Sequence, residues 1–150
     1  MKRRPGTILL ATLLLAGLSA CDKPLTVEQR VIATIRNMEA AIEAGERRAF
    51  MGYIAEDFKG QREAMNRDQV RAMVVFQLNR HKSLQAQLFP IHVTETGENT
   101  AKAVFRALVT GGPGWIPESG QVYEFDTRWI LTGDEWQLQS ANWTPVSLEG

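Results

Sequence analysis

Tyr123-Glu124-Phe125-Asp126-Thr127-Arg128-Trp129-Ile130-Leu131-Thr132, then Gly133-Asp134, then Glu135-Trp136-Gln137-Leu138-Gln139-Ser140-Ala141-Asn142-Trp143-Thr144 is the stretch from which the fold is read. Two alternating, aromatic-rich runs around a two-residue Gly-Asp loop spell a β-hairpin. Uninterrupted pairing from that loop sets Leu131 opposite Trp136, Trp129 opposite Leu138, Thr127 opposite Ser140 and Phe125 opposite Asn142. This face is apolar near the turn and polar farther along. The other face pairs Ile130 with Gln137, Arg128 with Gln139, Asp126 with Ala141 and Glu124 with Trp143, and is the more solvated side.

Upstream of the hairpin the period of 2 continues. Ala101, Ala103, Phe105, Ala107 and Val109 mark one face of a strand, and Gly97-Glu98-Asn99 is the turn before it. Leu84, Ala86 and Leu88 alternate, then Phe89, Ile91 and Val93 alternate in the opposite phase. Pro90 sits at the change, which places an edge strand with a bulge or bend there. Before residue 82 the period is helical. Thr26-Val27-Glu28-Gln29 has the form of a capping box, Val31, Ile35, Met38 and Ile42 make one apolar stripe, and Gly45 is a natural stop. A second helix is expected over Glu46–Ala55, burying Phe50, Tyr53 and Ile54, with Glu56 to Gly60 leaving it as a short strand. Asn66-Arg67-Asp68-Gln69 caps a third helix running to about Asn79 or His81, with Val70, Met73, Val74 and Leu78 facing the core. Three helices followed by a meander of antiparallel strands is an α+β pattern. A strongly curved sheet wrapping those helices makes a cone with a pocket inside.

Ala41-Ile42-Glu43-Ala44-Gly45-Glu46, with Phe50 and Tyr53-Ile54-Ala55-Glu56-Asp57-Phe58, resembles the opening of the nuclear transport factor 2-like superfamily. Trp136-Gln137-Leu138 and Ala141-Asn142-Trp143 resemble its closing strand. The likeness spans roughly residues 26–145 and implies three N-terminal helices on a strongly curved antiparallel sheet, the cystatin-like cone. The superfamily includes ketosteroid isomerase, scytalone dehydratase and polyketide cyclases, which use an Asp or His base inside the cone. Along these anchors the isomerase's catalytic aspartate falls near Arg62 and its oxyanion tyrosine near Met38. Neither residue can move a proton or hold an oxyanion in the required way, so the resemblance implies the fold and not isomerase activity.

The amino terminus carries a second message. Lys2, Arg3 and Arg4 precede an apolar run from Ile8 to Leu18, too short for the roughly 20 apolar residues of a membrane span. Small residues follow, which is the pattern of a secretory signal peptide. Leu18-Ser19-Ala20-Cys21 resembles the lipobox of bacterial lipoproteins. That resemblance implies cleavage before Cys21, a diacylglyceryl thioether on its sulfur and an acylated amino terminus, together a stable membrane anchor. Cys21 is the chain's single cysteine, so it has no internal disulfide to make. Asp22 resembles the signal that retains a Gram-negative lipoprotein on the inner membrane. The expected organisation is therefore a signal peptide over 1–20, a lipidated tether over 21–25 and one domain over 26–150, facing the periplasm.

Of 17 basic residues, three lie in the leader, while all 17 acids lie after it, leaving a formal charge of −3. A mildly acidic domain of this kind excludes a nucleic-acid binder. One cysteine and two histidines, His81 and His92, give no metal site, and no cofactor is expected.

Candidate site residues fall in three groups. Tyr123, Phe125, Thr127, Trp129, Ser140 and Asn142, with Tyr53, either line a partly apolar pocket or hydrogen-bond among themselves and fill the core. Asp57 is either a relocated base or a turn residue at a helix exit. Thr110 to Gln121 is long for a hairpin loop, and Trp115 and Ile116 within it either form a lid or partner anchor or cap the core. The expected partners are the membrane through acylated Cys21, an envelope protein or a second copy through the solvated face bearing Arg128 and Trp143, and a small apolar ligand. The expected role is a non-catalytic binding module, with an isomerase-, dehydratase- or cyclase-type enzyme as the alternative.

Overall fold

The computed structural model describes residues 22–81, 83–111 and 119–147. Residues 1–20, where a signal peptide is expected, and Cys21, Trp115 and Ile116 lie outside the described residues.

Helix α1 (Val27–Glu43) begins where its capping box predicts: Thr26 Oγ1 accepts the Gln29 N–H at 3.1 Å, and Gln29 Oε1 accepts the Thr26 N–H at 3.0 Å. Val31, Ile35, Met38 and Ala41 form its buried stripe. It stops in a Schellman pattern, with Gly45 N–H on the Ile42 carbonyl and Glu46 N–H on that of Ala41. Gly45 adopts φ +70°, a conformation that costs a side-chain-bearing residue more. Helix α2 (Arg47–Gly52) is shorter than expected. Ile54 and Ala55 leave it to begin strand β1 (Ile54–Gly60), because β7 captures this segment: Leu138 N–H donates to the Tyr53 carbonyl at 2.8 Å. The Arg67 side chain closes the same junction, donating to the carbonyls of Met51 (2.9 Å) and Ile54 (3.1 Å). After the two-residue β2 (Met65–Asn66), helix α3 (Arg67–Arg80) opens with the predicted Asn66/Gln69 capping box and buries Val70 and Val74.

The remaining strands are β3 (Leu84–Leu88), β4 (His92–Gly97), β5 (Thr100–Gly111), β6 (Ser119–Thr132) and β7 (Glu135–Pro145). The sheet order is β2-β1-β7-β6-β5-β3, with β4 also on β5. Pro90 falls in the break between β3 and β4, which pair with successive halves of β5. All pairs are antiparallel except β1 with β7, which is parallel and which the expected meander did not include. The sheet is curved and α1 packs on its concave face against β3, β4, β5 and β7. Ala101, Ala103 and Ala107 line β5 there, leaving depth for Val31, Ile35 and Met38. The core joins these to Met51, Ile54, Phe58, Trp129, Trp136 and Leu138.

Two expectations about the strands are corrected. Strands β5 and β6 stay paired as far as Gly111 and Ser119, so Thr110, Gly111, Gly120 and Gln121 belong to the ladder and only 112–118 lie between them. In the final hairpin the predicted register holds from the turn through Trp129 opposite Leu138, then slips. A bulge inserts Gln139, and beyond it Arg128 faces Ser140, Thr127 faces Ala141, Asp126 faces Asn142 and Phe125 faces Trp143. Because side chains alternate with period 2, one extra residue exchanges the two faces of β7 from there on. Ala141 becomes buried, Trp143 turns inward, and Ser140 and Asn142 turn outward. The solvated face proposed for self-association therefore carries Arg128 without Trp143.

Candidate functional site

The concave face divides into a closed half and a more open half. In the closed half the sheet meets α1, and Thr127 and Trp129 are 2% and 1% exposed. The Thr127 hydroxyl donates to the Ala103 carbonyl at 2.7 Å and accepts Trp129 Nε1–H at 2.8 Å. Both polar groups are thereby satisfied within the core. Of the two arrangements open for Thr127, the structure shows the mutual one.

Farther along β5, β6 and β7 the face becomes aromatic, with Phe105 buried and Tyr123, Phe125 and Trp143 only half buried. Phe105 and Phe125 stack with ring centres 5.1 Å apart and planes 10° apart. Tyr123 tilts against Phe125 at 6.3 Å and 58°. Trp143, opposite Phe125 in the shifted register, extends this wall toward β1. Its indole lies over Gly60, where an added Cβ would sit 3.4 Å from Trp143 Cη2 and 3.0 Å from Phe58 Cε1. Glycine thus lets the aromatic wall lie close to the β1 backbone. At the far end the His81 imidazole packs on Gly111, with Nδ1 2.7 Å from the position a Cβ would occupy. His92 lies on β4, exposed and paired with Val104, so the two histidines belong to separate places.

The other candidates stand apart from this wall. Ser140 and Asn142 point away from it. Asn142 Oδ1 accepts the Arg62 N–H at 2.7 Å, fastening a turn in which Gln61, Arg62 and Glu63 all take positive φ (50°, 56° and 70°). Gln61 binds β7 as a neighbouring strand would: its Nε2 donates to the Trp143 carbonyl at 3.0 Å and its Oε1 accepts the Trp143 N–H at 3.1 Å. Asp57 is exposed on β1, its carboxylate 3.4 Å from Gln139 Nε2. Tyr53 caps α2 and is half buried against the core. Among the described residues no group of three His, Cys, Asp or Glu is placed to hold a metal, and no helix is long and apolar enough to cross a membrane.

Sequence reasoning grouped Tyr123, Phe125, Thr127 and Trp129 correctly on one face. It missed Trp143 as their neighbour. The signal is present in β7, where apolar positions run Trp136, Leu138 and then Ala141, Trp143. A spacing of three between two runs of spacing two marks an inserted residue.

No family model matches the chain, and no curated protein matches it. Solved structures do. Bd1075 from Bdellovibrio bacteriovorus superposes with TM-score 0.70 at 11% identity, covering 81% of this chain and 41% of its own. This chain therefore spans less than half of that protein's length. A candidate scytalone dehydratase from Novosphingobium aromaticivorans has TM-score 0.70 at 8% identity, covering 80% of this chain and 84% of its own. A nuclear transport factor 2-like protein with a cystatin-like fold, from the same organism, has TM-score 0.66 at 18% identity, covering 82% of both. The fold is the nuclear transport factor 2-like, cystatin-like α+β cone. At these identities the likeness reaches the fold alone.

Proposed function

We propose that this chain is a lipid-anchored envelope protein of a Gram-negative bacterium whose cone binds a small apolar ligand without transforming it. Acylated Cys21 is the anchor, the domain faces the periplasm, and Asp22 keeps the protein on the inner membrane. The observation that carries the binding reading is the aromatic wall of Phe125, Tyr123 and Trp143, half buried beside the buried Phe105. Flat aromatic side chains offer large contact area at low entropy cost, and nearby Thr127 already has its hydrogen bonds within the core. Such a wall suits a flat, apolar molecule.

Native mass spectrometry of the protein extracted gently from membranes tests this. The expected spectrum shows a reproducible adduct on the wild type that is lost in Phe125→Ala, together with diacylglyceryl and acyl mass on Cys21. A bare domain in both proteins refutes the ligand, and an unmodified Cys21 refutes the anchor. A dehydratase-type reading draws support from the neighbour named as a candidate dehydratase and from His81, packed on Gly111 at the end of β5. Substrate turnover that survives Asp57→Ala but is abolished by Tyr123→Phe and His81→Ala would favour it over simple binding.

A further inference from the structure

Helix α1 links the two ends of the cone. Near its start, Arg30 Nη2 donates to the Asp134 carbonyl at 2.7 Å, in the turn between β6 and β7. The Leu131 N–H donates to the Asn99 carbonyl at 2.9 Å, which sets the β4–β5 turn beside that one. At the last residue of α1, Glu43 Oε1 accepts the Ala86 N–H at 3.1 Å, and Ala86 pairs with Val109 on β5. The helix therefore runs from the two turns toward the end where β5 and β6 stop pairing, Gly111 opposite Ser119. Its 17 residues cover about 25 Å. The closed half lies at the near end, since Trp129 pairs with Ala101, one residue into β5. Phe125 and Tyr123 lie farther along, opposite Phe105 and Ala107.

The near end is also where the chain leaves the domain toward Cys21. Residues 22–25 are exposed and belong to no helix or strand. Fully extended, the stretch from Cys21 to Thr26 reaches at most about 17 Å. The first turn of α1 and the two hairpin turns present Glu28, Glu95, Glu98, Asp134 and Glu135, all exposed. Lys23 is exposed as well, while Arg30 is held on the Asp134 carbonyl.

We infer that the domain stands on the bilayer by this end, with the two hairpin turns toward the headgroups and the aromatic half of the concave face on the far, periplasmic side. The inference rests on the lipid anchor at Cys21. Tether length excludes the inverted domain. Setting the Glu43 end against the headgroups would place the helix start about 25 Å out, beyond the tether's reach of about 17 Å. Charge disfavours a domain lying flat. The chain beyond its leader is net acidic, and lying flat would hold the near-end carboxylates within the Debye length, about 8 Å, of an anionic leaflet. Standing on the tether moves them out to as much as about twice that distance. Phe105 is five residues beyond Thr100, about 17 Å along β5. A molecule bound against Phe125 and Tyr123 is therefore taken up from the aqueous side and not from among the acyl chains.

The test reconstitutes the full lipidated chain in vesicles of phosphatidylethanolamine and phosphatidylglycerol that carry an acceptor-labelled lipid. A donor dye is attached to Glu98→Cys, Arg48→Cys or Phe76→Cys, three exposed positions. The wild type is the blank, because an acylated Cys21 has no thiol to label. Energy transfer should place position 98 nearer the lipid than position 48 by about 20–25 Å, with position 76 also farther out than position 98. Inserting about twenty Gly-Ser residues between Lys23 and Pro24 gives the tether an r.m.s. reach of about 25 Å, so inversion is no longer excluded and the difference should fall toward zero. Equal distances for 98 and 48 on the native tether, position 76 nearest the lipid, or a difference that survives the insertion would each overturn the proposal. A wild type that takes the dye at Cys21 refutes the anchor and this inference with it. The other failures leave the anchor standing, and the ligand is read separately by its adduct mass.

Discussion

Replacing Thr127 by Val is the sharpest probe of how the closed half of the cone is held. The two side chains have nearly the same shape, so packing is preserved and only the hydroxyl is lost. That hydroxyl is the acceptor for Trp129 Nε1–H, whose side chain is 1% exposed, and the donor to the Ala103 carbonyl. Leaving a buried indole N–H without an acceptor costs about 1–3 kcal/mol. The new methyl recovers about 0.8 kcal/mol by burial. The lost donation to the Ala103 carbonyl adds about 0.5–1.5 kcal/mol. The expected net loss is therefore about 0.7–3.7 kcal/mol, with a centre of about 2. A loss of that central size lowers the melting temperature of a domain of this size by about 5–10 °C. Urea unfolding followed by tryptophan fluorescence and circular dichroism measures it, and an unchanged slope confirms that the denatured state is not involved. In a Trp129→Phe background the same Thr127→Val change has no donor to orphan, so its cost should fall by about 1–2 kcal/mol. If Thr127→Val is neutral to within 0.5 kcal/mol, or if the two changes are additive, the hydrogen-bonded pair is not what organises this half of the core.

Trp136 supplies the contrast, because its buried Nε1 has no hydrogen-bond partner among the described residues. Trp136→Phe should therefore cost about 1 kcal/mol less than Trp129→Phe, and equal urea midpoints would contradict this. Gly111→Ala drives a Cβ to within 2.7 Å of His81 Nδ1 and should destabilise by about 1–3 kcal/mol; adding His81→Ala should restore most of the loss in thermal melts. Gln61→Ala removes both side-chain bonds to the Trp143 backbone and should cost about 1–2 kcal/mol, with faster amide exchange at Trp143 as the local signature.

The elements legible in the sequence are those whose causes are local. Thr26 with Gln29, and Asn66 with Gln69, carry both halves of a capping box within four residues, and both helices start there. Gly45 and Gly133 mark chain reversals because they take positive φ, which they do at +70° and +61°. Alternation on β5 identified a buried face because every second residue from Ala101 to Ala107 is buried. What was missed depends on partners distant in sequence. The length of α2 is decided by β7, more than eighty residues later, through the Leu138–Tyr53 bond. The parallel β1–β7 pairing has no turn chemistry to announce it. The aromatic wall was half legible, since Phe125 and Tyr123 precede the bulge's effect on β7 while Trp143, Ser140 and Asn142 follow it.

The bulge and the left-handed turn belong to one arrangement. Strand β1 pairs with β7 through Ile54 before the irregularity and through Lys59 and Gly60 after it. Beyond Gly60 the ladder continues by other means: Gln61 N–H donates to the Ala141 carbonyl, Arg62 N–H to Asn142 Oδ1, and the Gln61 side chain takes both backbone groups of Trp143. Three successive non-glycine residues at positive φ carry a conformational cost that such bonds must offset. Their combined effect is to fix β7 in the shifted register, because the uninterrupted register would carry Ala141 and Trp143 to the outer face and Asn142 into the core. An unpaired amide there would face apolar side chains, a cost of several kcal/mol. The clamp on β7 thus selects which side chains reach the concave face, and it places a tryptophan beside Phe125 where direct extension of the hairpin would place an asparagine.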